Sequence, residues 1–121
     1  MEQVREFAEL VYNTLGPGLS ESAYCKALAV CYHELGICCQ SEVTLPIVFK
    51  NVQISTLRCD LLVNHIAIEI KTVGSLTATH RQQIRSYLRH MPCEKGILIN
   101  FGPQSVEVEV FESGFSKFPL S

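Results

Sequence analysis

Apolar residues recur at helical spacing over residues 2–14, where Val4, Phe7, Ala8, Leu10 and Val11 form a stripe. The pattern breaks at Gly16-Pro17-Gly18, a run of turn formers. It resumes after Ser20, a good N-cap, and predicts a second helix to about Leu35 with Tyr24, Leu28, Cys31 and Tyr32 on its apolar side. Gly36 then stands where a helix ends in a left-handed residue. From residue 37 the period changes to two. Val43, Leu45, Ile47 and Phe49 alternate over 37–50, and Pro46 marks this strand as an edge or a bulge. After a turn near Asn51 come strands at about 54–63 and 66–73, then a loop at Gly74-Ser75 and a third helix over 77–90, ended by Pro92. Gly96 to Phe101 is nearly all apolar, as in a central strand covered on both faces. Residues 104–111 set Val106, Val108 and Val110 against Glu107 and Glu109, an outer strand with one solvated face. The order α-α-β-β-β-α-β-β predicts an α/β (α+β) fold, a mixed sheet flanked by helices. The third helix joins two parallel strands as a βαβ unit. The tail from Phe111 to Leu120 carries three phenylalanines and could dock on the body or on a second subunit, so a homodimer is a possible state.

A chain of 121 residues has the size of one domain, taken here as residues 1–121. At 47% apolar and 18% charged it can fill an ordinary core. Six cysteines include no C-x-x-C pair, and several fall inside predicted elements, which points to reduced thiols in an intracellular protein rather than to disulfides or zinc. Polar residues interrupt the N-terminal apolar positions, unlike a signal peptide, and no apolar run reaches membrane-span length. The net charge of -2 argues against strong non-specific binding to nucleic acid, which rests on Lys and Arg, but not against an enzyme that meets phosphates through a metal.

Candidate chemistry sits on the hairpin Arg58–Lys71. If Asn64-His65 is a two-residue turn, Val63 faces Ile66 and Asp60 falls opposite Glu69. His65 is not the glycine that type I′ turns favour, although His tolerates positive φ better than most residues. Opposed like charges destabilise a sheet. A divalent cation removes that penalty, and Mg²⁺ is typically bound by one or two carboxylates with waters and phosphate oxygens. Lys71 lies two residues beyond Glu69 and so on the same face of its strand. The pattern is a metal site with an adjacent cation.

On the third helix, His80, Gln83 and Tyr87 share a face with Ile84 and Leu88. Gln83 and Tyr87 need partners if buried. Gln83 could serve a phosphate, a metal-bound water, Lys71 or a backbone carbonyl. Arg81, Arg85 and Arg89 form another stripe, which turns away from the site and reads as a solvated basic face. His80 alone reads as structural or solvated. Glu21, in the first turn of its helix, is explained by the helix dipole without any further role.

Gly18-Leu19-Ser20-Glu21-Ser22-Ala23-Tyr24 resembles the signature that names the GxxExxY protein family, which is placed in the PD-(D/E)xK nuclease superfamily. The resemblance continues through Leu45-Pro46-Ile47, Asp60-Leu61-Leu62-Val63, Ile68-Glu69-Ile70-Lys71, His80-x-x-Gln83 with Tyr87-Leu88, and Gly96 to Gly102. Gln83-x-x-x-Tyr87 also looks like the Q-x-x-x-Y element of RecB-type nucleases. The resemblance implies a restriction-endonuclease-like core. It implies Asp60 and Glu69 as metal ligands, Lys71 as the catalytic lysine, Glu21 as an additional acidic residue reaching the metal, and Gln83 and Tyr87 as supporting residues. The proline expected before the first acidic residue is missing from Leu57-Arg58-Cys59-Asp60.

The expected activity is a nuclease dependent on Mg²⁺ or Mn²⁺, acting on DNA, with the backbone carbonyl of Ile70 completing the ligands of Asp60 and Glu69. The rival reading is a non-catalytic nuclease-fold module that binds a partner protein or nucleic acid. The family supplies no substrate.

Overall fold

The computed structural model describes residues 2–113. Helix α1 runs Glu2–Leu15 and α2 runs Glu21–Glu34. The strands are β1 Cys39–Phe49, β2 Val52–Val63, β3 Ile66–Lys71, β4 Lys95–Phe101 and β5 Val106–Glu112, with α3 Ala78–His90 between β3 and β4. The order is the one expected. Each helix has its stop or start in a local hydrogen bond. Gly16, at φ 76°, closes α1 by donating to the Tyr12 carbonyl. Ser20 caps α2 by accepting from the Ala23 amide at 3.1 Å.

The five strands form one sheet in the order β1-β2-β3-β4-β5, antiparallel except for the β3–β4 pair. Helices cover both faces. On one side Val4, Ala8 and Val11 of α1 and Tyr24, Leu28 and Tyr32 of α2 pack with Leu61, Ile68, Ile70, Ile97 and Ile99. On the other, Ile84, Tyr87 and Leu88 of α3 pack with Cys59, Ala67, Met91 and Cys93. Leu10 falls off the predicted stripe and is exposed. β4 is buried from Gly96 to Phe101, as a central strand requires. Gly96 has a steric reason. A Cβ there would stand 2.7 Å from Ile84 Cγ1, so the glycine lets α3 settle onto the sheet.

β1 is an edge strand that tolerates Pro46, and its register with β2 shifts after Ile47. The arginine stripe turns away from the site as expected, with Arg85 and Arg89 exposed, but two of its residues are engaged by β5. Because α3 crosses toward β5, Arg81 grips both carboxylate oxygens of Glu109, at 2.8 and 3.0 Å, and Arg85 lies over the Phe111 ring. Phe111 thus packs on the body, while the rest of the phenylalanine-rich tail lies outside the described residues. Four of the six cysteines, Cys25, Cys31, Cys59 and Cys93, are buried. None of the described helices is long and apolar enough to cross a membrane.

Candidate active site

The β2–β3 hairpin turns at Asn64-His65, with Asn64 at φ 54° taking the left-handed position. Val63 pairs with Ile66, Leu62 with Ala67 and Leu61 with Ile68, and there the ladder stops. Asp60 and Glu69, next in that count, form no backbone pair. The next backbone bond is replaced by a side chain: the Ile70 amide donates to Asp60 Oδ2 at 2.8 Å. β2 meanwhile stays paired with β1 and peels away from β3. The gap is filled from the flanks. Tyr87, arriving from α3, places its hydroxyl against the Arg58 carbonyl, and Cys59 Sγ donates to the Leu61 carbonyl at 3.2 Å.

Glu69 is the centre of the electrostatics. It is only 4% exposed, and burial together with the facing Asp60 pushes its carboxyl up to about 7, against the opposing pull of Lys71 and Tyr87. Lys71 Nζ lies 3.3 Å from one carboxylate oxygen and the Tyr87 hydroxyl 3.1 Å from the other. Gln83 Nε2 donates to the Tyr87 oxygen at 3.2 Å, so Gln83 reaches Glu69 through the phenol and, among the described residues, binds neither Lys71 nor a backbone carbonyl. Burial and then Glu69 push the Tyr87 phenol well above its ordinary range, which keeps it a neutral donor. His80 takes no part in this cluster: its Nδ1 accepts from the Thr77 amide in the cap of α3.

Glu21 approaches from the other side. Gly18 is held at φ 99°, and the Tyr24 hydroxyl donates to the Gly16 carbonyl while accepting from the Leu19 amide. The Tyr24 ring stacks on Phe101 at 4.2 Å. The glycine and tyrosine of the Gly18–Tyr24 segment therefore fix the linker before α2, and with it the position of Glu21. The exposed Glu21 lines a cavity of about 300 Å³ that it shares with Asp60, Lys26, Ser41, Glu42 and Arg58. Among the described residues, no three Asp, Glu, His or Cys side chains converge closely enough to hold a metal ion. The site thus brings together Asp60, Glu69, Lys71, Gln83 and Tyr87, with Glu21 across the cavity. Ile70 contributes its amide to Asp60, and its side chain is buried among the α1–α2 contacts.

Asp60 and Glu69 supply oxygen donors of the kind a hard divalent cation takes. Sequence reading missed Asn100, which is fully buried and stands level with Lys71 on β4. Its amide oxygen accepts from the Val73 amide at 2.9 Å, and its nitrogen donates to the Val73 carbonyl and to Glu107. It pins the chain where β3 leaves the site. A lone polar residue within Gly96–Phe101 was the available signal.

A mixed sheet between helices, with an acid pair and a lysine where two strands part, defines a nuclease-type core. A family model described as the PD-(D/E)XK nuclease superfamily matches residues 1–111, and the chain belongs to that superfamily. Membership supports nuclease-type function, hydrolysis at phosphodiester bonds, and its members generally use divalent metals. No curated protein sequence matches the chain. Among solved structures, the crystal structure of SSO0001 is similar in fold, with a TM-score of 0.59 and 24% identity over 95% of this chain. The chain spans 63% of that protein's length.

Proposed function

We propose that the chain, one domain over residues 1–121, is an intracellular nuclease of the GxxExxY type that hydrolyses DNA with Mg²⁺ or Mn²⁺. The carrying observation is the convergence of Asp60, Glu69 and Lys71 where β2 parts from β3, with Lys71 Nζ 3.3 Å from Glu69. Asp60 and Glu69 would hold the cation, with the Ile70 carbonyl as a backbone ligand. When bound, the cation supplies Lewis acidity toward a phosphoryl oxygen and lowers the pKa of water. Lys71 orients the attacking water or offsets the charge that develops on the phosphate. Tyr87 and Gln83 hold the Glu69 carboxylate in place. Glu21 lines the cavity that Asp60 also lines and would hold a water or a further cation there.

The test is calorimetric titration of Mg²⁺ and Mn²⁺ into the wild type and an Asp60→Asn/Glu69→Gln variant, with DNA cleavage measured on the same samples. Binding and cleavage that both vanish in the variant support the proposal. A wild type that binds no metal overturns it. Lys71→Ala should abolish turnover and leave metal binding largely intact. The ion pair that occupies Lys71 and Glu69, with no third ligand clustered there among the described residues, favours a second reading, a nuclease-fold module that binds without cleaving. Metal and DNA binding without hydrolysis would support that reading.

A further inference from the structure

The β1–β2 ribbon does not end with the body. Leu45 and Leu57 are the outermost ribbon residues packed against the α3-side core. Beyond them the nine residues Val48 to Thr56 are all exposed, on both strands. Val48, Phe49, Val52 and Ile54 are 57 to 62% exposed, so large apolar side chains are gathered at the tip of a projecting arm. The arm is firmly shaped. Lys50 and Asn51 both take left-handed φ, 49° and 67°, the type I′ combination that matches the strand twist. The register shift leaves Ile54 unpaired as a bulge, and Gln53 bonds to Thr56 at 3.0 Å.

Charge indicates what covers it. From Thr44 to Arg58 there is no carboxylate, only Lys50 and Arg58, the latter paired with Glu42 at 2.9 Å, in a chain of net charge -2. Lys50 sits at the tip and Arg58 at the base, two residues from Asp60. The arm continues the strand that carries Asp60, with Ile54 roughly 20 Å from it at about 3.3 Å per residue. A two-stranded ribbon fits the major groove of duplex DNA, where apolar groups meet thymine methyls and side chains such as Gln53 and Asn51 meet base edges. The exposed tip of nine residues is smaller than the roughly 20–30 residues a side of a stable protein interface.

We infer that residues 48–56 are a nucleic-acid arm that enters the major groove of duplex DNA lying across the Asp60–Glu69 site. The inference rests on the nuclease reading for its ligand, yet binding tests it separately from hydrolysis. Two arm variants serve, Phe49→Ser/Val52→Thr/Ile54→Thr and Lys50→Glu, each first shown to keep the wild-type unfolding midpoint. Affinity for a labelled duplex is read by fluorescence anisotropy with Ca²⁺ in place of Mg²⁺. Turnover is read on bis(p-nitrophenyl) phosphate, too small to touch the arm. The triple variant should lose about tenfold or more in duplex affinity, and Lys50→Glu should lower the salt slope by about 1. Hydrolysis of the small diester should stay at the wild-type rate. Wild-type duplex affinity in both variants overturns the arm, as does a wild type that binds no duplex. A wild-type dimer by light scattering that the triple variant dissolves also overturns it, in favour of a second copy on this surface. If the wild type hydrolyses neither diester, the nuclease reading fails, while loss of duplex binding in the variants still supports the arm.

Discussion

Glu69 is where one residue's environment has the largest consequence. Its carboxyl is held up to about 7 from an ordinary 4.5 by burial and by Asp60. A carboxyl raised on folding favours the native state while it is protonated. Its contribution is therefore full below about pH 4.5 and is lost as the pH rises through 7, at a cost of about 3 kcal/mol. Metal-free protein should accordingly lose stability between these pH values. Glu69→Gln should flatten that slope, matching the wild type near pH 4.5 and exceeding it at pH 8, as read by urea unfolding in EDTA. A wild type with no such slope would show that Glu69 is charged throughout. Asn100 is the other residue whose removal has a defined cost. Asn100→Ala strands the amide and carbonyl of Val73, and should destabilise by about 2–3 kcal/mol. An unchanged denaturation midpoint would refute that role.

At the scale of elements, α3 governs the site because it delivers Tyr87 to the parted strands. Its distance from the sheet is set at Gly96, where an added Cβ meets Ile84 Cγ1. Gly96→Ala should force α3 outward, costing about 1–3 kcal/mol, and should reduce cleavage by displacing Tyr87 from Glu69. Equal stability and rate in that variant would mean that Ile84 repacks without moving the helix. Much at this scale was legible from the sequence. Ser20 and Gly36 marked the bounds of α2, and the run from Gly96 to Phe101 marked a central strand, because caps and burial on both faces have local signatures. The partners of the arginine stripe were not legible. Glu109 lies 28 residues from Arg81 in the chain, and only the crossing of α3 toward β5 joins them.

For the whole molecule, the proposed cation site predicts a stability that depends on divalent cations. A cation that binds only the folded chain stabilises it by about 2.7 kcal/mol at a hundredfold excess over its dissociation constant. Mg²⁺ should therefore raise the unfolding midpoint of the wild type at pH 8 and leave Asp60→Asn/Glu69→Gln unmoved. Equal shifts in both proteins would place the ion elsewhere.

The sequence by itself determined the element order, the turn at Asn64-His65 and the common face of Glu69 and Lys71. These follow from strand alternation and a short turn, which act within a few residues. Tertiary structure alone decided that the β2–β3 ladder stops at Leu61, that Tyr87 and Cys59 fill the gap, and that Asn100 secures the end of β3. It also decided that Glu21 stands across a cavity from Asp60, and that the apolar alternation of Phe49, Val52 and Ile54 ends in solvent. The reason is physical. Periodicity reports which side of a strand a residue occupies, whereas what covers that side depends on packing between elements distant in the chain.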